Sequence, residues 1–180
     1  VGIWDRLCVG VSYGGTILLC AGSPEFYSIP GVQIRLLVVE EGAFYPLLQI
    51  GFDNQGYGQY SERYDIRSKG LYGQLSKTVS LTSLAIVPSA AVNYCLESDN
   101  GPDGFIGLKV QFGTFSALLF EYTPNFNDPA DENKGYLNAA LRLIFYGEMY
   151  FDVALRDILG NSPNDEQLNR KIRLGFEQGF

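Results

Sequence analysis

Histidine is absent from the 180 residues, which removes both the commonest general base and the commonest metal ligand. A Ser-His-Asp device is therefore impossible. Cysteine is scarce. Cys8, Cys20 and Cys95 are odd in number and far apart, so they give neither a disulfide framework nor a metal-ligand spacing and read as small apolar fillers. No apolar run approaches the roughly 18–20 uninterrupted residues that a spanning helix needs; the stretch around Leu36–Val39 is soon broken by charge. Cations are outnumbered, 13 Lys and Arg against 20 Asp and Glu, for a net charge of −7. That balance argues against nucleic acid as a partner. Val1 is not an initiator Met and no export signal is visible, so the expectation is a cleaved leader or numbering that begins inside a longer protein.

What the chain does have is a β-rich composition: 12 Tyr, 12 Phe and 21 Gly. Hydrophobic residues reach 46%, yet mean hydropathy is close to zero. That combination excludes a helical membrane protein. It fits a β-barrel, whose strands carry polar residues on alternate positions and so average to neutral. A length of 180 residues suits a single domain, and 1–180 reads as one.

The primary signal is alternation with period two, the mark of strands with two chemically different faces. One face carries Val9 and Val11; Ile34 and Leu36; Ile50; Leu108 and Val110; Leu141 and Leu143; Val153 and Leu155; Leu174 and Phe176. The other carries Arg6; Gln33 and Arg35; Gln49 and Asp53; Lys109; Glu121; Arg142; Asp152 and Arg156; Lys171, Arg173 and Glu177. Two further segments, near Tyr64–Lys77 and Leu84–Leu96, alternate less cleanly. Roughly ten strands result, an even count of the kind that single-chain bacterial barrels show.

The connections run long, short, long, short. The long ones are Gly14–Pro30, Asn54–Arg63, Glu97–Asp103, Asn125–Gly135 and Gly160–Asn169; the short ones lie at Glu41–Ala43, Val79–Leu81, Gly113–Thr114 and Gly147–Glu148. Outer-membrane barrels have long extracellular loops and short periplasmic turns. No helix of ordinary length is forced; Asp157–Gly160 and Pro163–Leu168 could each form one turn.

Alternation alone does not give the faces a direction, because a soluble lipid-binding barrel alternates too, with its apolar side inward. Here the polar face mixes charge with small residues (Gly10, Ser12, Gly51, Gly107, Ala140, Ala154, Gly175), as a crowded lumen would. Arg35, Arg142, Arg156 and Arg173 can pair there with Asp152, Glu121 and Glu177. The apolar face is uniformly aliphatic and aromatic, as lipid allows. Tyr13, Phe44, Tyr45, Phe112, Phe115, Tyr122, Tyr136, Phe145, Tyr146 and Tyr150 sit toward strand ends, where interfacial girdles form. Phe180 ends the chain at the close of an alternating strand, and a terminal aromatic is read as an assembly signal in many outer-membrane barrels. The expected fold is an all-β, antiparallel up-and-down transmembrane β-barrel.

The segments "DRLCVGVSYGG" (Asp5–Gly15) and "PGVQIRLLVVEEGAFYPLLQIGFDNQGYGQY" (Pro30–Tyr60) resemble the YjbH-like bacterial outer-membrane barrels. "RYDIRSKGLYGQLSK" (Arg63–Lys77), "KGYLNAALRLIF" (Lys134–Phe145) and "FDVALRDILGN" (Phe151–Asn161) resemble the same group. The resemblance covers most of the chain in order. It implies a barrel in the bacterial outer membrane, linked to exopolysaccharide production, with a role at the envelope and no implied reaction.

Candidate sites are few. The oxygen-rich loops Asp99, Asn100, Asp103 and Asp128, Asp131, Glu132 could hold Ca²⁺, but their spacing is not that of an EF-hand and turn chemistry accounts for them. Asp53, Gln55, Tyr57 and Tyr60 could contact sugar, or form an interfacial turn. Lumen charges could line a pore, although ten strands leave a lumen narrow enough to be filled by side chains. The expectation is a non-enzymatic envelope protein with no cofactor and no metal. Its expected partners are outer-membrane lipid, the barrel assembly machinery, and envelope glycans or other envelope proteins. The alternatives are a narrow pore or exopolysaccharide-export component, and a soluble lipid-binding barrel.

Overall fold

A computed structural model describes residues 2–3, 6–12, 15–16, 25–26, 30–54, 69–97, 102–124, 135–146, 149–161 and 169–176. The described residues form fourteen strands: β1 (Gly2–Ile3), β2 (Leu7–Ser12), β3 (Gly15–Thr16), β4 (Glu25–Phe26), β5 (Gly31–Val39), β6 (Leu47–Asp53), β7 (Gly70–Ser76), β8 (Val79–Leu81), β9 (Leu84–Cys95), β10 (Pro102–Phe112), β11 (Ser116–Thr123), β12 (Tyr136–Phe145), β13 (Met149–Arg156) and β14 (Asn169–Phe176). Among the described residues there is no helix.

One antiparallel sheet runs β1-β2-β5-β6-β7-β9-β10-β11-β12-β13-β14, with β8 beside β9 and β3–β4 a separate hairpin. Its path has eleven strands where about ten were expected; the extra one is the two-residue β1. Apart from the separate β3–β4 hairpin and β8, which stand off this path, each step joins strands that follow one another along the chain, so the topology is an up-and-down meander. Among the described residues the strands touch only their neighbours in the sheet, and β14 is not joined to β1 or β2.

The region expected to turn at Val79–Leu81 is instead a strand, and the turn falls at Thr82–Ser83. Pro88 explains the discrepancy. The Lys77 amide donates to the Pro88 carbonyl at 3.1 Å, but proline has no N–H to return the second bond of that pair. The ladder against β9 therefore breaks at Lys77 and Thr78, and resumes at Val79↔Ile86 in the same register. β7 and β8 are one strand interrupted by one missing donor.

The burial pattern is inverted relative to a soluble fold. Within the sheet, the buried side chains of Tyr72, Ala91, Asn93, Cys95, Ala117, Tyr136 and Asp152 all lie on the face that carries the charged and amide residues. The other face leaves Val92 61% exposed and Leu141 44% exposed. Row after row repeats this, for example Val110–Leu118–Leu141–Val153–Ile172 across five strands. Among the described residues no large side chain is fully buried. The surface of 11902 Å² exceeds the roughly 8,700 Å² expected of a compact globular chain of this mass. A single layer, more enclosed on its polar side (termed the concave face) and more open on its apolar side (termed the convex face), accounts for these facts.

Two glycines on adjacent strands differ sharply in surroundings. A Cβ at Gly51 would lie 2.6 Å from both the Ile34 carbonyl oxygen and the Tyr72 ring, which crosses it on the concave face; at Gly73 it would meet nothing within 4 Å. Gly51→Val should therefore cost about 1–3 kcal/mol through overpacking, whereas Gly73→Val should be neutral or gain up to about 1 kcal/mol from strand propensity. Urea midpoints of the two variants check this, and equal shifts would contradict it.

Candidate functional site

The concave face divides into two walls of different chemistry. Over β5–β9 its side chains are mostly neutral. Gln49 donates to Gln74 at 2.7 Å, the Gln33 amide approaches the Tyr72 hydroxyl at 3.5 Å, and Asn93 is buried beside them. Arg35, whose guanidinium reaches Cys8 Sγ at 3.7 Å, and Asp53 are the two ionisable strand residues of this wall with opposite charges. Both are half-buried. At the long-loop end Glu97 is buried, with Lys69 Nζ at 4.0 Å.

Over β10–β14 the concave face is ionic. The β12–β13 register places Arg142 opposite Asp152. Arg142 Nε donates to Oδ1 at 2.8 Å and Nη2 to Oδ2 at 2.9 Å, a bidentate fork. The guanidinium also lies 4.1 Å from the Tyr150 ring centroid, a cation–π distance. Tyr150 in turn covers Gly175. Arg173 stands opposite Asp152 from the β14 side. One row along, Ala140, Ala154 and Lys171 are aligned; one row further, Glu121, Asn138 and Arg156. Asn138 donates to Glu121 at 3.3 Å and accepts from the Asp157 amide at 3.0 Å. Lys109, Glu121 and Arg156 are half-buried, while Lys171 and Arg173 on the edge strand are exposed.

Eleven of the twelve described residues of the polar set share one face in register; the twelfth, Arg6, lies just before β2 at the short-turn end, exposed and 3.0 Å from Glu40. Glu177 and Phe180 lie outside the described residues. The apolar set lies on the convex face: Val11, Ile34, Leu36, Ile50, Leu108, Leu141, Val153, Leu155 and Leu174 are exposed, and Val9, Val110 and Leu143 half-buried. The side chain of Phe176 lies outside the described residues.

Two aromatics expected in a girdle belong elsewhere. Tyr136 is buried at 3% exposure, and Tyr150 lies on the concave face against Arg142. Tyr122 is half-buried against Gly135, and Tyr13 lies outside the described residues. The remaining girdle residues, Phe44, Tyr45, Phe112, Phe115, Phe145 and Tyr146, are all exposed at the short-turn end. Tyr72, Gln74 and Asn93 were missed as concave-face residues; a usable signal was the period-two spacing of Tyr72 and Gln74, obscured by the many small residues in these strands.

Of the loop candidates, Asp103 is in β10, and Gln55, Tyr57, Tyr60, Asp99, Asn100, Asp128, Asp131 and Glu132 lie outside the described residues. Among the described residues no three metal-capable side chains cluster. Comparison with protein-family models, curated proteins and solved structures returned no match.

At the short-turn end the gap left by Pro88 is closed by the connection between β5 and β6. Glu41 accepts from the Thr78 amide at 2.7 Å and from its hydroxyl at 2.8 Å, and Lys77 lies 3.3 Å from Glu41 while donating to the carbonyls of Gly42 and Ala43. The Thr78 amide bond, then the Thr78 hydroxyl and the Lys77 ammonium, hold the Glu41 carboxyl below its ordinary pKa. A lowered folded-state pKa means the clamp stabilises fully above the unfolded glutamate pKa and is lost as pH falls through the folded one. Hydrogen exchange should show the Thr78 amide protected at neutral pH and losing protection only below the ordinary glutamate range. Glu41→Gln should abolish that pH dependence; an unchanged profile would contradict the clamp.

The Arg142–Asp152 pair generates a second expectation. Its side chains are 24% and 7% exposed, so removing Asp152 leaves a largely desolvated guanidinium. A double-mutant cycle should give a coupling of about 1–3 kcal/mol, below the fully buried range because Arg142 keeps some water. The exposed Arg6–Glu40 pair should give under about 1 kcal/mol in the same experiment.

Proposed function

We propose that this chain forms a transmembrane β-barrel of the bacterial outer membrane, without enzymatic activity, serving as a structural, assembly or partner-binding element of the envelope. The observation that carries this reading is the inverted burial: polar side chains enclosed on the concave face, aliphatic ones exposed on the convex face. In water such a continuous apolar surface is a liability, whereas bilayer hydrocarbon satisfies it at no cost. The exposed aromatics at the short-turn end supply the interfacial belt that a barrel rim requires.

Closure would join β14 to β2. The ten long strands from β2 to β14 leave these two antiparallel, the orientation that an up-and-down barrel needs, and β1 covers only Leu7 and Cys8, leaving Val9–Ser12 for pairing. With Tyr72, Tyr150 and Arg142 lying across the concave face, a lumen of this width is largely filled by its own side chains. The bilayer and the barrel assembly machinery are the partners that follow. The YjbH-like resemblance supports the same location and keeps an exopolysaccharide-linked role in view.

A second reading rests on the open path of the sheet: the convex face would be covered by a second copy in a soluble assembly. A soluble lipid-binding barrel fits less well, since it needs the apolar face inside. Refolding into lipid vesicles separates these readings. A membrane barrel should give a heat-modifiable gel shift and stay with the vesicles. A monodisperse soluble oligomer without detergent would overturn the proposal. Within the folded form, Leu141→Arg should cost about 2–4 kcal/mol if it lies near the bilayer midplane, and Gln74→Arg, on the concave face, much less; equal costs would refute the assignment of faces.

A further inference from the structure

The two outer edges of the sheet carry matching marks. Val11 on β2 and Leu174 on β14 are the most exposed aliphatic side chains among the described residues, at 73% and 75%, as side chains at the margin of a single layer would be. Both lie on the convex face. Their backbones match as well. The Leu37 amide donates to the Arg6 carbonyl at 2.7 Å, so Arg6, Cys8 and Gly10 turn their peptide groups toward β5, and Val11, of the other parity, turns its own outward. The Ile144 amide donates to the Phe115 carbonyl at 2.8 Å. That alternation, carried across β12 and β13 by the registers, leaves Leu174 turning its peptide groups away from β13.

We propose that β14 closes on β2 in one register, with Leu174 opposite Val11 and Gly175 opposite Gly10. This seam rests on the barrel reading and names the residues that seal it. A slip of one residue would set the polar face of one strand beside the apolar face of the other, so only steps of two compete. Three observations choose among them. First, β1 covers β2 at Leu7 and Cys8. With Leu174 at Val11, β14 as described ends level with Val9, so β1 and β14 lie end to end along one edge; two residues further, β14 would lie over β1. Second, Tyr150 lays the phenol end of its ring over Gly175, and whatever faces Gly175 across the seam stands beside that ring. Gly10 has no side chain, and Gln33 Cβ is 3.9 Å from where one would start. Cys8, the competitor two residues away, already has the Arg35 guanidinium at 3.7 Å. Third, the ladders fix the stagger. Leu7 leads through Leu36, Ile50, Gly73 and Val92 to Gly104; Leu108, four residues on, leads through Phe120, Ala139 and Leu155 to Arg170. Closing at Val11 and Leu174 brings this circuit back about twelve residues up β2 from its start. At about 3.4 Å per residue and about 4.8 Å between ten strands, the tilt is about 40°, the middle of the roughly 35–45° of barrels. A slip of two either way moves it to about 35° or 45°, the limits of that range.

The test is disulfide cross-linking of the full chain, in a cysteine-free background refolded into phosphatidylcholine vesicles and oxidised with copper phenanthroline. Val11→Cys with Leu174→Cys puts the two Cα atoms about 5.5 Å apart, within disulfide reach. Val11→Cys with Ile172→Cys puts them about 8–9 Å apart, beyond it. The first pair should therefore cross-link within one chain roughly ten-fold faster or more. The gel shift on heating and retention by vesicles are recorded for each variant before oxidation, so that the barrel and its seam are read separately. A folded, vesicle-bound chain that cross-links only through Ile172→Cys, or through neither pair, overturns the seam and leaves the barrel reading intact. Disulfide-linked dimers overturn it too, since β14 then pairs with a second copy. A second measurement needs no cysteine. Gly10→Val, for which the open sheet has room, should lower the temperature at which the heat-modifiable form is lost, and should have little effect in a Tyr150→Ala background. A folded Gly10→Val chain that melts like its parent contradicts the seam.

Discussion

The structure depends on the geometry of the extended chain, which sends successive side chains to opposite sides and so makes every strand two-faced. Ten long strands joined in sequence add their faces coherently, and one extra residue in any register would turn a whole strand over. The consequence is a single sheet with an enclosed polar side and an open apolar side. No second layer relieves the apolar side among the described residues, so its partner has to be another medium or another molecule. The proposed place in a bilayer follows from that mismatch with water.

The polar side is held by local devices. The Arg142–Asp152 fork ties β12 to β13, Gln49–Gln74 ties β6 to β7, and tyrosine rings lie over glycines at Gly51 and Gly175. Each device fills a concave face with side chains that also satisfy one another. This matters because partly enclosed polar groups without partners are expensive. At the short-turn end the break imposed by Pro88 is repaired by Glu41 and Lys77, so this gap in the ladder is crossed by a side-chain clamp.

Much of this was legible in the sequence where alternation is clean. The strands around Leu141 and Val153 follow their residue types directly, and Asp152 falls on the face of Arg142 by parity alone. The reading failed where position along a strand was given more weight than parity. Tyr150 lies near a strand end and was placed in a girdle, yet it shares its face with Asp152 and turns inward. Val79–Leu81 was read as a turn because the effect of Pro88 acts across strands, from a residue nine positions on, and no local pattern announces it.

The central claim is that the convex face meets lipid. Spin labels placed one at a time from Leu137 to Ile144 along β12, in a cysteine-free background refolded into vesicles, test it most directly by their accessibility to oxygen and to a water-soluble nickel complex. Odd-numbered positions should be open to oxygen and closed to nickel, with even-numbered positions showing the reverse. Uniform nickel accessibility at the odd-numbered positions, or a chain that stays in the aqueous phase, would contradict the account.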